Sequence, residues 1–368
     1  MHDVMIVGAG PAGTAAAWDL LAAGCSVLLA DKCDFPRKKA CAGGITPKTL
    51  NLFRYDISPV IRRSCDRVRI GALGQKDFFI QGKGPLCHMT RREELDTFNL
   101  AQVIKLGARF EQIGPVSSVT ESLSHVTVRT GGQQSGNGAG DGARYQARYL
   151  IGADGANSVI RRLILKHPKI MKSFAVEADV DIKNPMHQEM TFDFVPGLKG
   201  YYWVFPRDDH VNIGIYTLNG PKSNSMERLK RYALKRLGTH RLENIRGYPL
   251  GLGGYRHNPS ARRVLLAGDA AGMCEPLLGE GLYGAVKSGQ GAATAVIQAL
   301  GGVTAGASGH YRTGLNRLKK DLLLYELSSR WFYRFPGMSL TLLSKPRIHQ
   351  RFSHGFSDGL SLSQILKL

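Results

Sequence analysis

The first thirty-two residues contain the pattern that most restricts the fold of this chain. An apolar run at 3–7, typical of a buried parallel strand, leads directly into the sequence G-x-G-x-x-G at 8–13. A helix-forming segment follows, and then a second apolar strand that ends in Asp31. Amides at the start of such a helix bind phosphate, and an acidic residue about 20 positions further on accepts hydrogen bonds from a ribose. The combination predicts a dinucleotide site.

The chain is strongly basic. Among its 368 residues, 49 Lys and Arg stand against 29 Asp and Glu, a formal charge of +20. Such an excess indicates an anionic partner, which can be nucleic acid, an acidic membrane or a phosphorylated substrate. No zinc-finger, RNA-recognition or basic-zipper pattern accompanies the basic residues. We therefore expect a membrane surface or a phosphate-bearing lipid and no nucleic acid; a solvated basic surface without a specific partner is the alternative.

The N-terminal sequence is strand-forming and does not resemble a signal peptide, and no apolar stretch is long enough to span a bilayer. These features predict a cytoplasmic protein, or one bound peripherally to the inner face of a membrane. The six cysteines show no C-x-x-C spacing. We therefore expect free thiols and no metal site.

Two further apolar strands, far apart in the sequence, also end in Gly-rich turns. One leads into G-A-D-G at 152–155 and the other into A-G-D-A-A at 267–271. Between them, residues 174–216 alternate with a period of two and are rich in aromatics, which predicts several antiparallel strands. Residues 131–142 contain too little apolar material to pack, so we expect a mobile hairpin tip there.

Helices are indicated at several points. Pro47 is a typical first-turn residue for a helix that reaches Arg54. Thr90 and Glu93 have the spacing of a capping box at the start of another helix. The small residues of 282–300 predict a long helix, and the chain beyond it is predicted to be helical as well.

The three Gly-rich turns together resemble those of the FAD-dependent oxidoreductases with the p-hydroxybenzoate hydroxylase fold. The resemblance implies that Asp269 hydrogen-bonds the ribityl chain of FAD. It also implies that Asp154 and Gly155 support the cofactor region from behind. Arg92, in an R-x-x-L-D context, is implied to reach the cofactor.

Three other loops narrow the resemblance to the geranylgeranyl reductase family. They are R-x-K-x-C-A-G-G at 37–44, Y-Y-W-V-F-P at 201–206 and P-L-L-G-E-G-L-Y at 276–283. In that family the second element lines a lipid pocket that faces the flavin. The first often reads Cys-Gly-Gly-Gly, so Ala42 is a departure from the family pattern.

The candidate catalytic residues are Cys41, Tyr201 and Trp203. Cys41 is a candidate proton donor near the substrate; however, neighbouring lysines lower the pKa of a thiol and favour thiolate, so an inert thiol is the alternative. Tyr201, Trp203 and Phe205 point to one face of a strand because side chains alternate along it. They form either the wall of an apolar pocket or ordinary core packing.

The candidate FAD-binding residues lie in the Gly-rich turns or directly beside them. They are Gly8, Gly10, Ala12, Gly13, Asp31, Lys32, Lys39, Cys41, Ala42, Gly43, Gly44, Arg92, Asp154, Gly155, Gly268, Asp269, Gly279, Gly281 and Leu282. The turn at 279–281 precedes a predicted helix, whose first amides can stabilise the negative charge of a reduced flavin.

We predict an α/β fold with a discontinuous Rossmann-like FAD-binding domain, an inserted antiparallel β-sheet substrate domain and a helical C-terminal tail. The FAD-binding domain is assigned to 1–60, 88–172 and 255–305. The substrate domain is assigned to 61–87 and 173–254, and the helical tail to 306–368.

The function implied by the resemblance is an FAD-dependent reductase that saturates double bonds of a polyprenyl (geranylgeranyl-type) lipid. An external donor, NAD(P)H or reduced ferredoxin, would reduce the flavin. A flavin-dependent monooxygenase or halogenase of the same fold, acting on an aromatic or quinone-like substrate, is the alternative. A flavin-bearing membrane regulator without activity is a third reading.

Overall fold

The structure is a computed structural model that describes residues 1–72, 76–131, 142–167, 169–184, 188–220, 225–302 and 306–367. Most of the predicted hairpin tip at 131–142 lies outside the described residues. The strands in the described ranges are β1 (His2–Val7), β2 (Val27–Asp31), β3 (Gly44–Ile45), β4 (Arg63–Cys65), β5 (Arg67–Ala72), β6 (Phe78–Gln81), β7 (Cys87–Met89), β8 (Arg109–Gln112), β9 (Val116–Glu121), β10 (Val126–Thr130), β11 (Arg144–Gly152), β12 (Met171–Val180), β13 (Met190–Phe194), β14 (Gly200–Pro206), β15 (Val211–Thr217), β16 (Glu243–Leu252) and β17 (Val264–Leu266). The helices are α1 (Pro11–Ala22), α2 (Pro47–Leu50), α3 (Arg92–Lys105), α4 (Val159–Ile164), α5 (Ser225–Leu237), α6 (Leu282–Leu300), α7 (Gly306–Gly314), α8 (Asn316–Arg334), α9 (Pro336–Leu343), α10 (Pro346–Ser357) and α11 (Leu362–Lys367).

The first sheet has the strand order β8-β2-β1-β11-β10-β9, with β17 paired to β11. Pairing is parallel from β8 through β11 to β17 and antiparallel from β11 through β10 to β9. The apolar strands β1, β2 and β17 are buried because helices cover the sheet, and α1 packs against α6. The carboxyl ends of β1, β2, β11 and β17 meet at one edge, where doubly wound sheets bind nucleotides.

Strand β11 is long enough to have two partners on one side. Its first half pairs with β10, with Ala147 opposite Val126, and its second half pairs with β17, with Leu150 opposite Val264. This arrangement brings the Gly-rich turn after β17 beside the turns after β1 and β11. The three turns, distant in sequence, therefore lie together.

The second sheet has the order β16-β12-β15-β14-β13-β5-β6. Its pairs are antiparallel except for β13 with β5, which run parallel. Strand β14 is buried along its whole length. One face packs in an aromatic cluster with Tyr201, Trp203 and Phe205, and the other lies in a cluster with Leu229 and Ala233 of α5. The fold class is confirmed, with one parallel pair inside the inserted sheet.

A small antiparallel sheet of order β3-β7-β4 links the two larger units. Two predicted domain boundaries, at 87–88 and 172–173, fall inside β7 and β12. The division into domains stays a prediction. The tail is helical from α7 to α11, as the sequence indicates.

Two local predictions are wrong. Helix α3 begins at Arg92 without a side-chain cap, since the Thr90 hydroxyl instead donates to the carbonyl of Val60 at 2.6 Å. The helix that starts at Pro47 ends at Leu50 and does not reach Arg54.

All six cysteines are free. Within the described ranges, no helix is long and apolar enough to cross a membrane.

Candidate functional site

A cavity of about 1250 Å³ extends from the carboxyl edge of the first sheet to the C-terminal helices. Nearly all the candidate residues from the sequence line it; Gly13 is the exception. One part is bordered by the Gly-rich turns and the other by apolar side chains of β14 and the tail. We call these the turn half and the apolar half of the cavity.

The turn after β1 is held by close backbone contacts. Gly8 has a φ of +109°, and a Cβ there would lie 2.3 Å from the carbonyl oxygen of Ala153. A Cβ on Gly13 would lie 1.8 Å from the carbonyl oxygen of Gly8, so Gly13 packs the helix against the strand. These contacts fix the first amides of α1 at the cavity.

Gly10 differs from these two glycines because the nearest atom to its Cβ position belongs to a side chain and not to the backbone. The nearest atom to a Cβ at Gly10 is a guanidinium nitrogen of Arg37, at 3.0 Å. Arg37 pairs with Asp96 at 3.2 Å, yet its buried Nε has no hydrogen-bond partner among the described residues. A helix start, a glycine and a guanidinium whose Nε has no partner fit the pyrophosphate of a dinucleotide.

Asp31 ends β2 and organises the adjoining backbone. Its carboxylate accepts from the amides of Ala9 at 2.8 Å and Cys33 at 3.0 Å. Lys32 follows at the exposed rim of the cavity. Whether Asp31 also accepts from a ribose stays a prediction.

Asp154 caps α4. One carboxylate oxygen accepts from the Ser158 hydroxyl at 2.5 Å, and the other accepts from the amides of Val159 at 2.6 Å and Ile160 at 3.1 Å. Gly155 follows with a φ of +79°. The geometry makes Asp154 a support for the turn after β11.

We expect Asp154→Ala to lower the free energy of unfolding by about 1–2 kcal/mol, because two helix-start amides lose their acceptor. Urea denaturation followed by circular dichroism measures this change. Asp19→Ala is the matched control, since the exposed pair of Asp19 with Arg54 contributes about 0–1 kcal/mol. Equal loss in both variants would contradict the capping role.

The turn after β17 places Asp269 in the cavity wall. Gly268 has a φ of +61°, a Cβ there would lie 3.0 Å from the Cβ of Ala12, and its amide donates to the Ser288 hydroxyl at 2.8 Å. Burial raises the pKa of the Asp269 carboxyl, and the ammonium of Lys39 opposes that rise. Asp269 is a half-buried acceptor that lines the cavity, as a ribityl hydroxyl requires.

Cys41 lies in a loop that is held by Glu177 and Arg207, two residues that were not identified from the sequence. The Cys41 amide donates to Glu177 at 3.0 Å, and Arg207 donates to the carbonyl of Ala42 at 3.4 Å. Burial raises the pKa of Glu177, and the bond from Cys41 opposes it. Gly43 has a φ of +79°, and a Cβ there would lie 2.0 Å from the carbonyl oxygen of Thr90. Gly44 completes the loop, and this backbone lines the cavity.

Lys39 and Arg92 are the cations beside this loop. The ammonium of Lys39 lies 5.0 Å from the ring centre of Tyr248, and desolvation together with the charge of Arg92 lowers the Lys39 pKa. Burial by itself would lower the pKa of Arg92, but the Asp96 carboxylate outweighs it and the pKa is raised. Two bonds of 3.0 Å to Asp96 fix the guanidinium at the cavity wall.

The apolar half is bounded on one side by β14. Tyr201 and Trp203 line the cavity, and the Trp203 indole donates to the Asn212 side chain at 2.9 Å. The indole lies flat on Gly214, where a Cβ would be 2.1 Å from the ring. The Tyr201 hydroxyl donates to the carbonyl of Leu278. Both rings are thus held by polar bonds at their edges, with apolar surface available to the cavity.

The opposite wall comes from the tail, which the sequence identified only as helical. The rings of Phe332 in α8 and Phe194 in β13 lie 4.8 Å apart between centroids. Leu340 of α9 is fully buried in the same cluster. The i, i+4 spacing of apolar residues in α8 was the available signal for this wall.

Sequence reasoning also missed a buried polar cluster behind the turn at 279–281. Lys48 contacts Glu280 at 2.6 Å and donates to the Tyr325 hydroxyl at 3.1 Å. Burial alone would lower the pKa of Lys48, but Glu280 outweighs it and the pKa is raised. Burial raises the pKa of Glu275 to about 7, although its carboxylate accepts from the amides of Leu277, Leu278 and Glu280.

The cluster holds the turn that starts α6. Gly279 has a φ of +74°, a Cβ there would lie 2.7 Å from the Tyr216 ring, and Gly281 precedes Leu282 at the helix start. Gly279, Gly281 and Leu282 line the cavity. The arrangement fixes the first turn of α6, whose positive end can face a flavin ring.

The pattern that defines the FAD binding domain family matches residues 1–312. The chain belongs to this family. A digeranylgeranylglycerophospholipid reductase of Methanopyrus kandleri is 30% identical over 81% of this chain and 77% of its own length. A geranylgeranyl diphosphate reductase of Rhodobacter capsulatus is 29% identical over 80% of this chain and 75% of its own. A menaquinone reductase of Mycolicibacterium smegmatis is 30% identical over 88% of this chain and 85% of its own length.

Solved structures show the same fold. A geranylgeranyl bacteriochlorophyll reductase-like protein of Thermoplasma acidophilum superimposes with a TM-score of 0.75 at 20% identity, covering 100% of this chain and 95% of the other. A flavin-dependent brominase superimposes with a TM-score of 0.72 at 18% identity, covering 97% of this chain and 93% of the other. At such identities the likeness extends to the fold alone.

The chain is therefore an FAD-dependent oxidoreductase of the geranylgeranyl reductase family. Its cofactor is FAD, and the turn half has the glycines, helix start and buried carboxylate that this cofactor requires. The individual cofactor contacts stay predictions.

Proposed function

We propose that the protein saturates isolated double bonds in the prenyl chain of a lipid or lipid precursor. The observation that carries this proposal is the continuity of the cavity: its apolar half, between β14 and the tail, opens into the turn half. A long hydrocarbon chain fits such a space, because burial of each CH₂ stabilises binding by about 0.8 kcal/mol. The names of the relatives support the same substrate class, since two of them are reductases of geranylgeranyl compounds.

The bound flavin would supply a hydride to one alkene carbon, and the other carbon needs a proton. The protein's task is to position an unactivated alkene and to exclude water. Trp203 and Tyr201 provide a rigid apolar surface, since their polar edges are already hydrogen-bonded. Cys41, on the loop that faces the cavity, is our candidate for the proton source.

Binding of FAD falls to the residues of the turn half. Gly10 and the first amides of α1 would receive the pyrophosphate, with Arg37 beside them. Asp31 would accept from the adenosine ribose and Asp269 from the ribityl chain. Gly43, Gly44 and the start of α6 would border the ring system.

The deciding experiment is anaerobic. Photoreduced holoprotein is mixed with a geranylgeranyl lipid in detergent, and flavin re-oxidation is followed near its visible absorbance maximum. We expect re-oxidation without oxygen and a product heavier by two hydrogens per bond reduced. A product that carries oxygen or halogen, formed only in air, would instead support a monooxygenase or halogenase.

The same preparation identifies the electron donor, which we propose to be NAD(P)H or reduced ferredoxin. Each is added anaerobically to the oxidised holoprotein, and flavin bleaching is recorded. Photoreduction in the first experiment makes the alkene test independent of this result.

A further inference from the structure

Helices α8 and α9, with the residue between them, carry large apolar side chains that are exposed. We call them the tail stripe: Leu323, Leu327, Trp331, Phe335, Met338 and Leu342. Leu323, Leu327 and Trp331 are four residues apart in α8 and share one side of that helix. Met338 and Leu342 likewise share one side of α9, and Phe335 lies between the two helices. The rings of Trp331 and Phe335 lie 4.9 Å apart between centroids. An apolar group of this size on the protein surface is typical of an interaction site.

The tail stripe borders an opening of the cavity. Leu327, Trp331 and Leu342 belong to the stripe and also line the cavity, and all three are about half exposed. Leu366 of α11 is likewise both exposed and part of the cavity lining. The apolar half therefore opens to the surface between these side chains.

The surface around the stripe is basic. Residues 316–367 contain nine Lys or Arg and three Asp or Glu. Two of the acids, Asp321 and Glu326, are buried, which leaves Asp358 as the exposed acid of this range. The exposed basic residues are Arg317, Lys320, Arg330, Arg334, Lys345, Arg347 and Lys367. Arg330 is paired with Glu326 at 2.8 Å, and the other six are the basic residues available to a partner. A second copy of the chain would meet this surface with charge of the same sign, whereas an anionic lipid surface has the complementary charge.

We propose that the tail stripe docks on an anionic lipid bilayer, with Trp331 and Phe335 in the interfacial region and the basic residues at the headgroups. Docking in this pose sets the cavity opening against the lipid, so a hydrocarbon chain passes into the apolar half without crossing water. The lipid nature of the substrate rests on the proposed function, but binding to the bilayer does not require catalysis.

The test is sedimentation of FAD-loaded full-length protein with vesicles of phosphatidylcholine containing 30% phosphatidylglycerol, and with pure phosphatidylcholine vesicles. We expect binding to the anionic vesicles at least tenfold tighter, and weakening as salt screens the headgroups. The double variant Trp331→Ser/Phe335→Ser should bind at least tenfold more weakly. Arg334→Gln should lose about fivefold, as expected for one basic residue near the surface.

Leu123→Ser is the matched control, since Leu123 is an exposed leucine in the turn between β9 and β10. It should bind vesicles like the wild type. Flavin absorbance checks that each variant is folded. Unchanged binding of the double variant, or equal binding to both vesicle types, would overturn the proposal. The proposal would also be overturned if the wild type were a dimer that did not bind vesicles and the double variant were a monomer.

Failure of this proposal is distinguishable from failure of the proposed function. Reduction of detergent-dissolved lipid without vesicle binding would remove the docking surface and leave the reductase. Vesicle binding without alkene reduction would exclude the reductase activity and leave the docking surface supported.

Discussion

Trp203→Ala should slow anaerobic flavin re-oxidation by a geranylgeranyl lipid by about 100-fold, with FAD content unchanged. The indole forms a flat wall of the apolar half and is fixed by the Asn212 side chain and by Gly214. Its removal leaves space in which the alkene can shift. A displacement of about 1 Å at a reacting centre is enough for a loss of this size. Stopped-flow absorbance of the photoreduced protein measures the rate.

Tyr202→Ala is the matched control, because Tyr202 is the next residue of β14 and packs on the opposite face of the sheet. It should reduce stability while re-oxidation stays near the wild-type rate. Gly214→Ala is a second probe that keeps the indole but displaces it, since the new Cβ would lie 2.1 Å from the ring. We expect it to be slow as well. A wild-type rate in Trp203→Ala would exclude β14 from substrate positioning.

Gly10→Val should weaken FAD binding by about 100-fold. Gly10 has an extended backbone that any residue adopts, but a Cβ there would lie 3.0 Å from the Arg37 guanidinium, so valine displaces that side chain and fills the space beside it. Loss of two charge-assisted hydrogen bonds to a phosphate, at about 1.5 kcal/mol each, corresponds to this factor. Titration of the apoprotein with FAD, followed by flavin fluorescence, gives the dissociation constant.

Gly314→Val controls for the size of the new side chain. Gly314 lies at the end of α7 with nothing within 4 Å of its Cβ position, and it is outside the cavity lining. This variant should bind FAD like the wild type. Full FAD occupancy of Gly10→Val at nanomolar cofactor would place the pyrophosphate elsewhere.

The sequence was informative where the determining contacts are local. The turn after β1 follows from glycine spacing, because Gly8 and Gly13 contact each other within one strand–helix unit. The common face of Tyr201 and Trp203 follows from the period of a strand. In both cases a few neighbouring residues settle the geometry, and the structure agrees with the expectation.

The sequence was uninformative where contacts join distant segments. Lys48 and Glu280 form an ion pair between distant segments of the chain, and neither residue lies in a spacing that signals the other. Thr90 has the local pattern of a capping residue, but the carbonyl of Val60 takes its hydroxyl. Tertiary contacts override local preference in such cases.

The two walls of the apolar half differ in where they are encoded. Strand β14 lies within the segment that matches the family pattern, and the facing wall, with Phe332 and Leu340, lies after residue 312. Mutations in the tail can therefore reshape the space for a substrate while every glycine turn around the cofactor keeps its sequence. Changes in residues 313–368 would alter the length of the apolar half and leave the residues around the cofactor unchanged.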